Sequence, residues 1–366
     1  MVYVEDLFQT LKKNKINFFT GVPDSVLKKF TNYIDSVNQR NIIAVNEGAA
    51  IANAIGYNLL TDKIPCVYMQ NSGIGNALNP ILSIADSKIY NNSILLVIGH
   101  RGFNGKDDEP QHLLTGKITE KILLLAKIKY IKLDKKNDLK KLEKLIIGFK
   151  KKNGLVCCLV KNNSLELKKK IFSKKNRRGV SIPSFLDDLI EKVDLKKNLL
   201  ISSTGYPSRE LLLAEKRNKV NLKSIYNVGG MGHTSSISFG VAQNTKKNVI
   251  CIDGDGSMLM HLGNFHTIGL SKIKNFKYII LNNNMHGSVG GQKTEFDKIN
   301  TKTLFKSLNF NEYYEISKNR DTTNVLKKFL NSNKSSILKV NCSSFNSNNL
   351  PRVKNFKKIK KNFKNS

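Results

Sequence analysis

The chain has 366 residues, 40% hydrophobic and 24% charged, a globular profile long enough for two α/β domains with separate cores. Its formal charge of +33 raises the question of nucleic acid, but the lysines are scattered through both halves of the chain among asparagines and arginine is scarce, so no nucleic-acid partner is expected. No apolar run reaches the ~18–20 residues of a membrane span and the N-terminal stretch, with acids early, lacks a signal peptide's apolar centre, so a cytoplasmic protein with no membrane association is expected.

The predicted elements alternate along the chain. A helix at 4–14 precedes a strand at 18–21, and Pro23 is expected to open a helix through about 34. A strand at 42–46 leads into a helix at 47–60, then a strand at 65–70, a helix at 75–85 and a strand at 94–98. Residues 101–117 read as a polar, glycine-containing loop, followed by a helix near 119–127, a strand at 130–133, a helix at 138–149 and a strand at 155–160. Residues 161–180 break the pattern with a run of charge. The alternation then restarts: helix 184–192, strand 199–203, helix 207–217, strand 224–228, helix 233–243, strand 249–253, helix 257–269 and strand 278–282, with a last helix near 322–331 and strand at 337–341.

Continuous β-branched runs separated by helices indicate parallel sheets buried on both faces. The expected fold class is therefore α/β, with two tandem domains, each a mainly parallel sheet flanked by helices. The expected boundaries are 1–165, a charged linker at 166–182, 183–346, and a basic, mobile tail at 347–366. The five cysteines, Cys66, Cys157, Cys158, Cys251 and Cys342, form no C-x-x-C pair; the first four lie in apolar strand-like runs and read as small hydrophobes.

Chemistry concentrates in VICIDGDGSMLMHLGNFHTIGL and FKYIILNNNMHGS. One strand ends in Asp253-Gly254-Asp255-Gly256, a helix opens near Ser257, and the next strand ends at Asn282-Asn283. Both motifs thus fall at carboxyl ends of parallel strands, where open α/β sheets bind ligands. The glycines let the backbone approach an anion, and the helix N-terminus adds free N–H groups. A carboxylate, an amide oxygen and a backbone carbonyl make a hard-oxygen site suited to Mg²⁺. A lone GDG would read as a tight turn ending a buried strand.

GDG followed by NN resembles the diphosphate-binding motif of thiamine-diphosphate enzymes. The resemblance implies that Asp255, Asn283 and the Met285 carbonyl hold Mg²⁺ and that Gly254, Gly256 and Ser257 meet the diphosphate; a third asparagine, Asn284, leaves the register open by one. It also asks for a glutamate against the cofactor's pyrimidine ring, after a strand and opening a helix. Glu47 in IIAVNEGAAIANAIGYNLL has that setting, and a partly desolvated carboxyl suits the proton exchange required there. By itself Glu47 would read as a helix N-terminal charge. In IYNVGGMGHTSSISFGVAQ the resemblance implies that Met231 props the two rings and that the Gly229 carbonyl accepts from the cofactor's amino group; ordinary core is the alternative for Met231.

Longer runs resemble the phosphonopyruvate decarboxylase family over most of the chain: FFTGVPDSVL, VNEGAAIA, MQNSGIGNALNP, RGFNGKDDEPQH, STGYPSREL, GGMGHTSS, DGDGSMLMHLGN and NNNMHGSVGGQKT. The resemblance implies a pyrimidine-binding domain first and a diphosphate-binding domain second. It further implies at least a homodimer, with Glu47 of one chain facing Asp255 of another. The implied reaction is decarboxylation of 3-phosphonopyruvate to phosphonoacetaldehyde and CO₂, in phosphonate biosynthesis of the 2-aminoethylphosphonate type. An anionic 2-oxoacid needs cations and donors, and the loop after strand 94–98 offers Arg101, Lys106, Gln111 and His112. His286 is a candidate donor or proton carrier and Asp24 a candidate proton relay; each is alternatively a surface charge or a loop cap.

His100 stands where the family leads one to expect tryptophan, and Lys293 where it leads one to expect proline, which puts substrate identity in question. The nearest alternative is a sulfopyruvate decarboxylase, or another small anionic 2-oxoacid decarboxylase; Asp-Glu-Pro-Gln-His at 108–112 and Met-His-Gly-Ser-Val-Gly-Gly at 285–291 lean toward the phosphonate. A decarboxylase or carboligase for an uncharged side chain, and an inactive binding protein with a basic tail, are the more distant alternatives.

Overall fold

The most apolar runs of the sequence become the innermost strands of two parallel sheets. A computed structural model describes residues 1–103, 108–150, 152–169, 171, 179–344 and 350–365. Lys106 and part of the charged linker lie outside these residues. The chain divides into two units, Met1–Ser173 with Val289–Gln292, and Lys174–Ser288 with Lys293–Ser366.

The first unit runs β1 (Val2–Tyr3), α1 (Val4–Lys13), β2 (Phe19–Gly21), α2 (Lys28–Ser36), β3 (Asn41–Ile43), α3 (Glu47–Thr61), β4 (Cys66–Gln70), α4 (Ile74–Leu82), β5 (Ser93–His100), α5 (Pro110–Leu125), β6 (Lys129–Leu133), α6 (Asp138–Lys150), β7 (Gly154–Lys161) and β8 (Leu165–Glu166). Its parallel sheet has the order β3-β2-β4-β5-β7-β6, and β1 pairs with β8 beside it. All eight residues of β5 are buried. Alternate side chains go to opposite faces, as the strand pleat dictates. Tyr68, Leu95 and Val97 join Leu7, Leu11, Phe30 and Leu142 on one side, while Val67, Met69, Leu96 and Ile98 join Ala50, Ala54, Ala77 and Leu123 on the other.

The second unit runs α7 (Ile182–Lys192), β9 (Asn198–Ser202), α8 (Tyr206–Arg217), β10 (Ile225–Tyr226), α9 (Thr234–Ala242), β11 (Asn248–Gly254), α10 (Asp255–Met260), α11 (Asn264–Leu270), β12 (Phe276–Asn282), α12 (Thr301–Ser307), β13 (Glu312–Ile316), α13 (Thr322–Asn331), β14 (Ser336–Asn341) and α14 (Phe356–Lys364). Its sheet order is β10-β9-β11-β12-β14-β13, again parallel. One face packs Ile250, Ile252, Ile279 and Leu281 under Leu186, Leu211 and Phe329. The other packs Cys251, Tyr278 and Ile280 under Phe265 and Phe305, whose rings meet edge to face at 5.2 Å. All five cysteines are buried in these cores, and burial pushes their thiols up from the ordinary range.

The α/β class with two helix-flanked parallel sheets agrees with the sequence reading, while several local expectations do not hold. The helix expected from Pro23 begins at Lys28, because Asp24 turns its carboxylate onto the N–H groups of Val26 and Leu27 and holds 22–27 as a turn. The loop expected over 101–117 ends early, with Pro110 at the first position of α5. The helix expected at 257–269 is two helices, broken at 261–263. The tail expected to be mobile carries α14, with Phe356 and Ile359 against one core of the second unit and Phe363 against the other.

Candidate active site

The second unit holds the acidic and amide residues. β11 and β12 are adjacent and in parallel register, Asp253 opposite Ile280 and Gly254 opposite Leu281, so the turns that follow them emerge at the same sheet edge. Asp255 opens α10 and is 3% exposed. Burial, helped by nearby Asp297, pushes its carboxyl up to about 7 against a hydrogen bond from Thr294. Asp253, fully buried, accepts from the Tyr278 hydroxyl at 2.7 Å and from the Gly254 N–H at 2.8 Å, which fixes the strand end beneath the turn.

The three asparagines have different surroundings. Asn282 is committed to the scaffold: its amide donates to Asp297 Oδ1 at 2.7 Å and Asn341 Oδ1 at 2.9 Å, and its oxygen accepts from the Asn284 N–H. Asn283 is equally buried, and its oxygen accepts from the Met285 N–H at 3.2 Å. Asn284 has left-handed backbone, φ 57, and turns its oxygen toward Thr294 and the Asp297 N–H. The Met285 carbonyl accepts from the Gly287 N–H at 2.9 Å, which leaves its second lone pair.

Gly254, Gly256 and Ser257 form the turn itself. A Cβ on Gly256 would lie 2.8 Å from the His286 ring, so only glycine lets that imidazole close over the start of α10. Burial pushes His286 down to about 4, making it a neutral donor or acceptor at neutral pH. Ser257 accepts from the Gly232 N–H at 3.1 Å and so joins the turn to the glycine stretch carrying Gly229 and Met231. Gly230 (φ 58) and Gly232 (φ 87) take left-handed backbone there, and Met231 is half-buried rather than in the core.

The first unit gathers its polar groups at the carboxyl edge of its own sheet. Glu47, 6% exposed, is the first residue of α3, which Asn46 caps by accepting from the Ala49 N–H at 2.9 Å. Burial raises its carboxyl, against a hydrogen bond from the Asn76 amide at 2.8 Å. A Cβ on Gly73 would lie 2.2 Å from Glu47 Oε1, so the turn before α4 makes room for the acid. The sequence reading had singled out neither Asn76 nor Gly73.

Asp24 is 1% exposed, and burial raises it. Both its oxygens are engaged, by Val26 and Leu27 N–H groups and by Gln70 Nε2 at 2.8 Å. A Cβ on Gly99 would lie 2.1 Å from its Oδ2. The Arg101 guanidinium exerts a lesser pull on the same carboxyl.

Arg101 itself is held, its Nε donating to Asp108 Oδ2 at 2.8 Å, its terminal nitrogens to Asp108 Oδ1 and Ser25 Oγ. These bonds outweigh the burial that would raise Asp108 and hold it far below the usual carboxylate range. Gln111 donates to Glu109 Oε2 at 2.6 Å. His112 sits half-buried on the first turn of α5, its carbonyl 2.0 Å from where a Gly102 Cβ would be. His100 is a buried aromatic: its Nε2 meets the Gly116 carbonyl at 3.0 Å and its ring stands edge-on to Phe103. Lys293 is exposed and pairs through its backbone with Met285.

Residues 1–121 match the family described as "Thiamine pyrophosphate enzyme, N-terminal TPP binding domain" and residues 209–340 its "C-terminal TPP binding domain". The chain is 30% identical over 312 residues to a phosphonopyruvate decarboxylase of Streptomyces viridochromogenes, covering 80% of this chain and 77% of that one. It is 26% identical over 311 residues to a sulfopyruvate decarboxylase of Methanosarcina acetivorans, covering 79% and 78%. It is 42% identical over 110 residues to the sulfopyruvate decarboxylase subunit beta of Methanocaldococcus jannaschii, covering 30% of this chain and 56% of that one.

Proposed function

The chain belongs to the thiamine pyrophosphate enzymes as a 2-oxoacid decarboxylase, and from that premise we propose that it converts 3-phosphonopyruvate to phosphonoacetaldehyde and CO₂. The observation that carries the substrate is a similarity to phosphonopyruvate decarboxylases that runs through both units. The aldehyde would enter phosphonate biosynthesis of the 2-aminoethylphosphonate type.

The donor set fits a diphosphate-bound divalent cation. Asp255 is a buried acid whose resolved charged neighbour is another acid, an arrangement that a cation relieves. We assign Mg²⁺ to Asp255, Asn283 and the Met285 carbonyl; Asn282 is spent on Asp297 and Asn341. Gly254, Gly256 and Ser257 present the start of α10 to the diphosphate, with Gly229 and Met231 against the rings. The bound cofactor supplies the electron sink that loss of CO₂ requires.

The chain's own residues handle protons and charge. Glu47 holds a proton at the cofactor's pyrimidine side. The carbon that loses CO₂ takes up a proton, and Asp24 and His112 are assigned to deliver it, with His286 a neutral hydrogen-bond donor. Arg101 binds the substrate's anionic head by exchanging its carboxylate partner Asp108 for it. The active protein is at least a homodimer in this proposal, so mixing Glu47→Gln with Asp255→Ala protein should restore part of the turnover; no recovery after subunit exchange would count against a shared site.

Sulfopyruvate is the second reading, favoured by the higher identity to the subunit beta within the shared segment. Purified protein given phosphonopyruvate, sulfopyruvate and pyruvate, with and without thiamine diphosphate and Mg²⁺, decides between them when CO₂ and aldehyde are followed. Turnover of a competitor without turnover of phosphonopyruvate would overturn the assignment.

A further inference from the structure

We propose that Asn76 positions Glu47 and selects which of its two carboxyl oxygens carries the proton, a role resting on the proton-holding part assigned to Glu47 above. Three contacts define the geometry. The Asn76 amide donates to Glu47 Oε2 at 2.8 Å. A Cβ on Gly48 would lie 2.9 Å from the Asn76 carbonyl, so α3 and α4 meet backbone to backbone at this level, which holds the Asn76 amide in place. Oε1, on the other side of the carboxyl, lies against Gly73, where a Cβ would be 2.2 Å away.

An amide N–H donates whether the acid is charged or neutral, so Oε2 remains an acceptor in both forms. The proton that Glu47 takes up then sits on Oε1. The direction of the donor also sets the acidity. A hydrogen bond to the charged form favours that form, while burial disfavours it. The resolved influences on Glu47 are burial, the Asn76 amide and the residue's own backbone N–H; no charged or titratable side chain of the described residues contributes. Asn76 is therefore the adjustable part of this acid's environment. Its place in the sequence, third residue of α4, carries no signal of this, because the contact exists only once α3 and α4 cross.

The test reads the carboxyl directly. Full-length protein without cofactor, labelled with carbon-13 at glutamate carboxyls, gives the Glu47 titration by NMR, the signal assigned by its loss in Glu47→Gln. Asn76→Ala should move that titration up by about one pH unit, and Asn76→Asp further, since two acids would share one proton. Asn76→Ser, which keeps a short donor, should stay nearer the native value than alanine does. In the loaded enzyme the acid limb of kcat/KM should shift in the same order.

Alanine and aspartate variants that titrate with the native protein would overturn the proposal, as would alanine and serine variants shifted alike. Asparagine and aspartate are nearly isosteric, so the aspartate variant tests the idea even where alanine loosens the helix crossing. Failure of the underlying reading looks different: Glu47→Gln would then keep full turnover, whatever the NMR titrations show.

Discussion

Replacing Gly73 by alanine tests whether the Glu47 carboxyl must stand where it does. The added methyl would lie 2.2 Å from Oε1, 2.5 Å from Cδ and 2.6 Å from Cγ of Glu47. Ordinary contacts between such atoms are about 3.5 Å, so the acid has to retreat by about 1 Å. A misplacement of that size at a reacting group costs on the order of 10²-fold in rate. Overpacking adds about 1–3 kcal/mol of instability.

Gly75, two residues on, is the internal control. A Cβ there meets nothing within 4 Å, and the position lies in α4. Alanine at 75 should leave turnover alone and stabilise the chain by up to about 1 kcal/mol through helix propensity. The assay is kcat at saturating cofactor and substrate, with urea unfolding of both variants alongside. Equal turnover in Gly73→Ala and Gly75→Ala would refute the reasoning.

The asparagine register gives a second expectation: Asn283→Ala should weaken Mg²⁺-dependent cofactor binding, seen by calorimetry, while Asn282→Ala should chiefly lower stability, by about 1.5–3 kcal/mol for its bond to the Asp297 carboxylate. Arg101→Met should raise KM for the anionic substrate by roughly 10–100-fold, the worth of a charge-assisted bond; an unchanged KM in steady-state assays would remove Arg101 from the substrate site. Asp138 should make stability pH-dependent. Burial would raise it, but hydrogen bonds from Lys141, Lys135 and Asp134 outweigh burial and hold it at about 2. Its folded value is depressed below the unfolded 3.8, so its contribution is full above pH 3.8 and is lost as pH falls through 2. Asp138→Ala should cost about 1–2 kcal/mol at pH 7 and far less near pH 2, as read by denaturant titration at both.

Strand β5 and the Tyr278–Leu281 stretch of β12 were legible because burial on both faces demands an unbroken apolar run, and few alternatives satisfy it. The start of α2 was not, since Pro23 is a good helix opener and only the Asp24 side chain redirects the N–H groups. Edge strand β13 was missed because EYYEI is half-exposed and carries no such run. At the candidate site, GDG, NN and Glu47 stood out in the sequence because each pattern is local to one turn. Asn76, Gly73 and Thr294 act only after distant segments meet, and the partnership of Arg101 with Asp108 likewise depends on how the loop folds back. The tail was misread for a related reason: its lysines obscure Phe356, Ile359 and Phe363, spaced to dock one face.

The buried cysteines have a practical side. With all five thiols enclosed and pushed up in pKa, the native protein should be nearly inert to maleimides, which attack the thiolate. A single cysteine introduced at exposed Ser72, beside the Gly73 turn, would then be the one position that takes a dye. The carboxyl edge of the first unit's sheet thereby becomes observable by fluorescence without stripping the chain of its own sulfur.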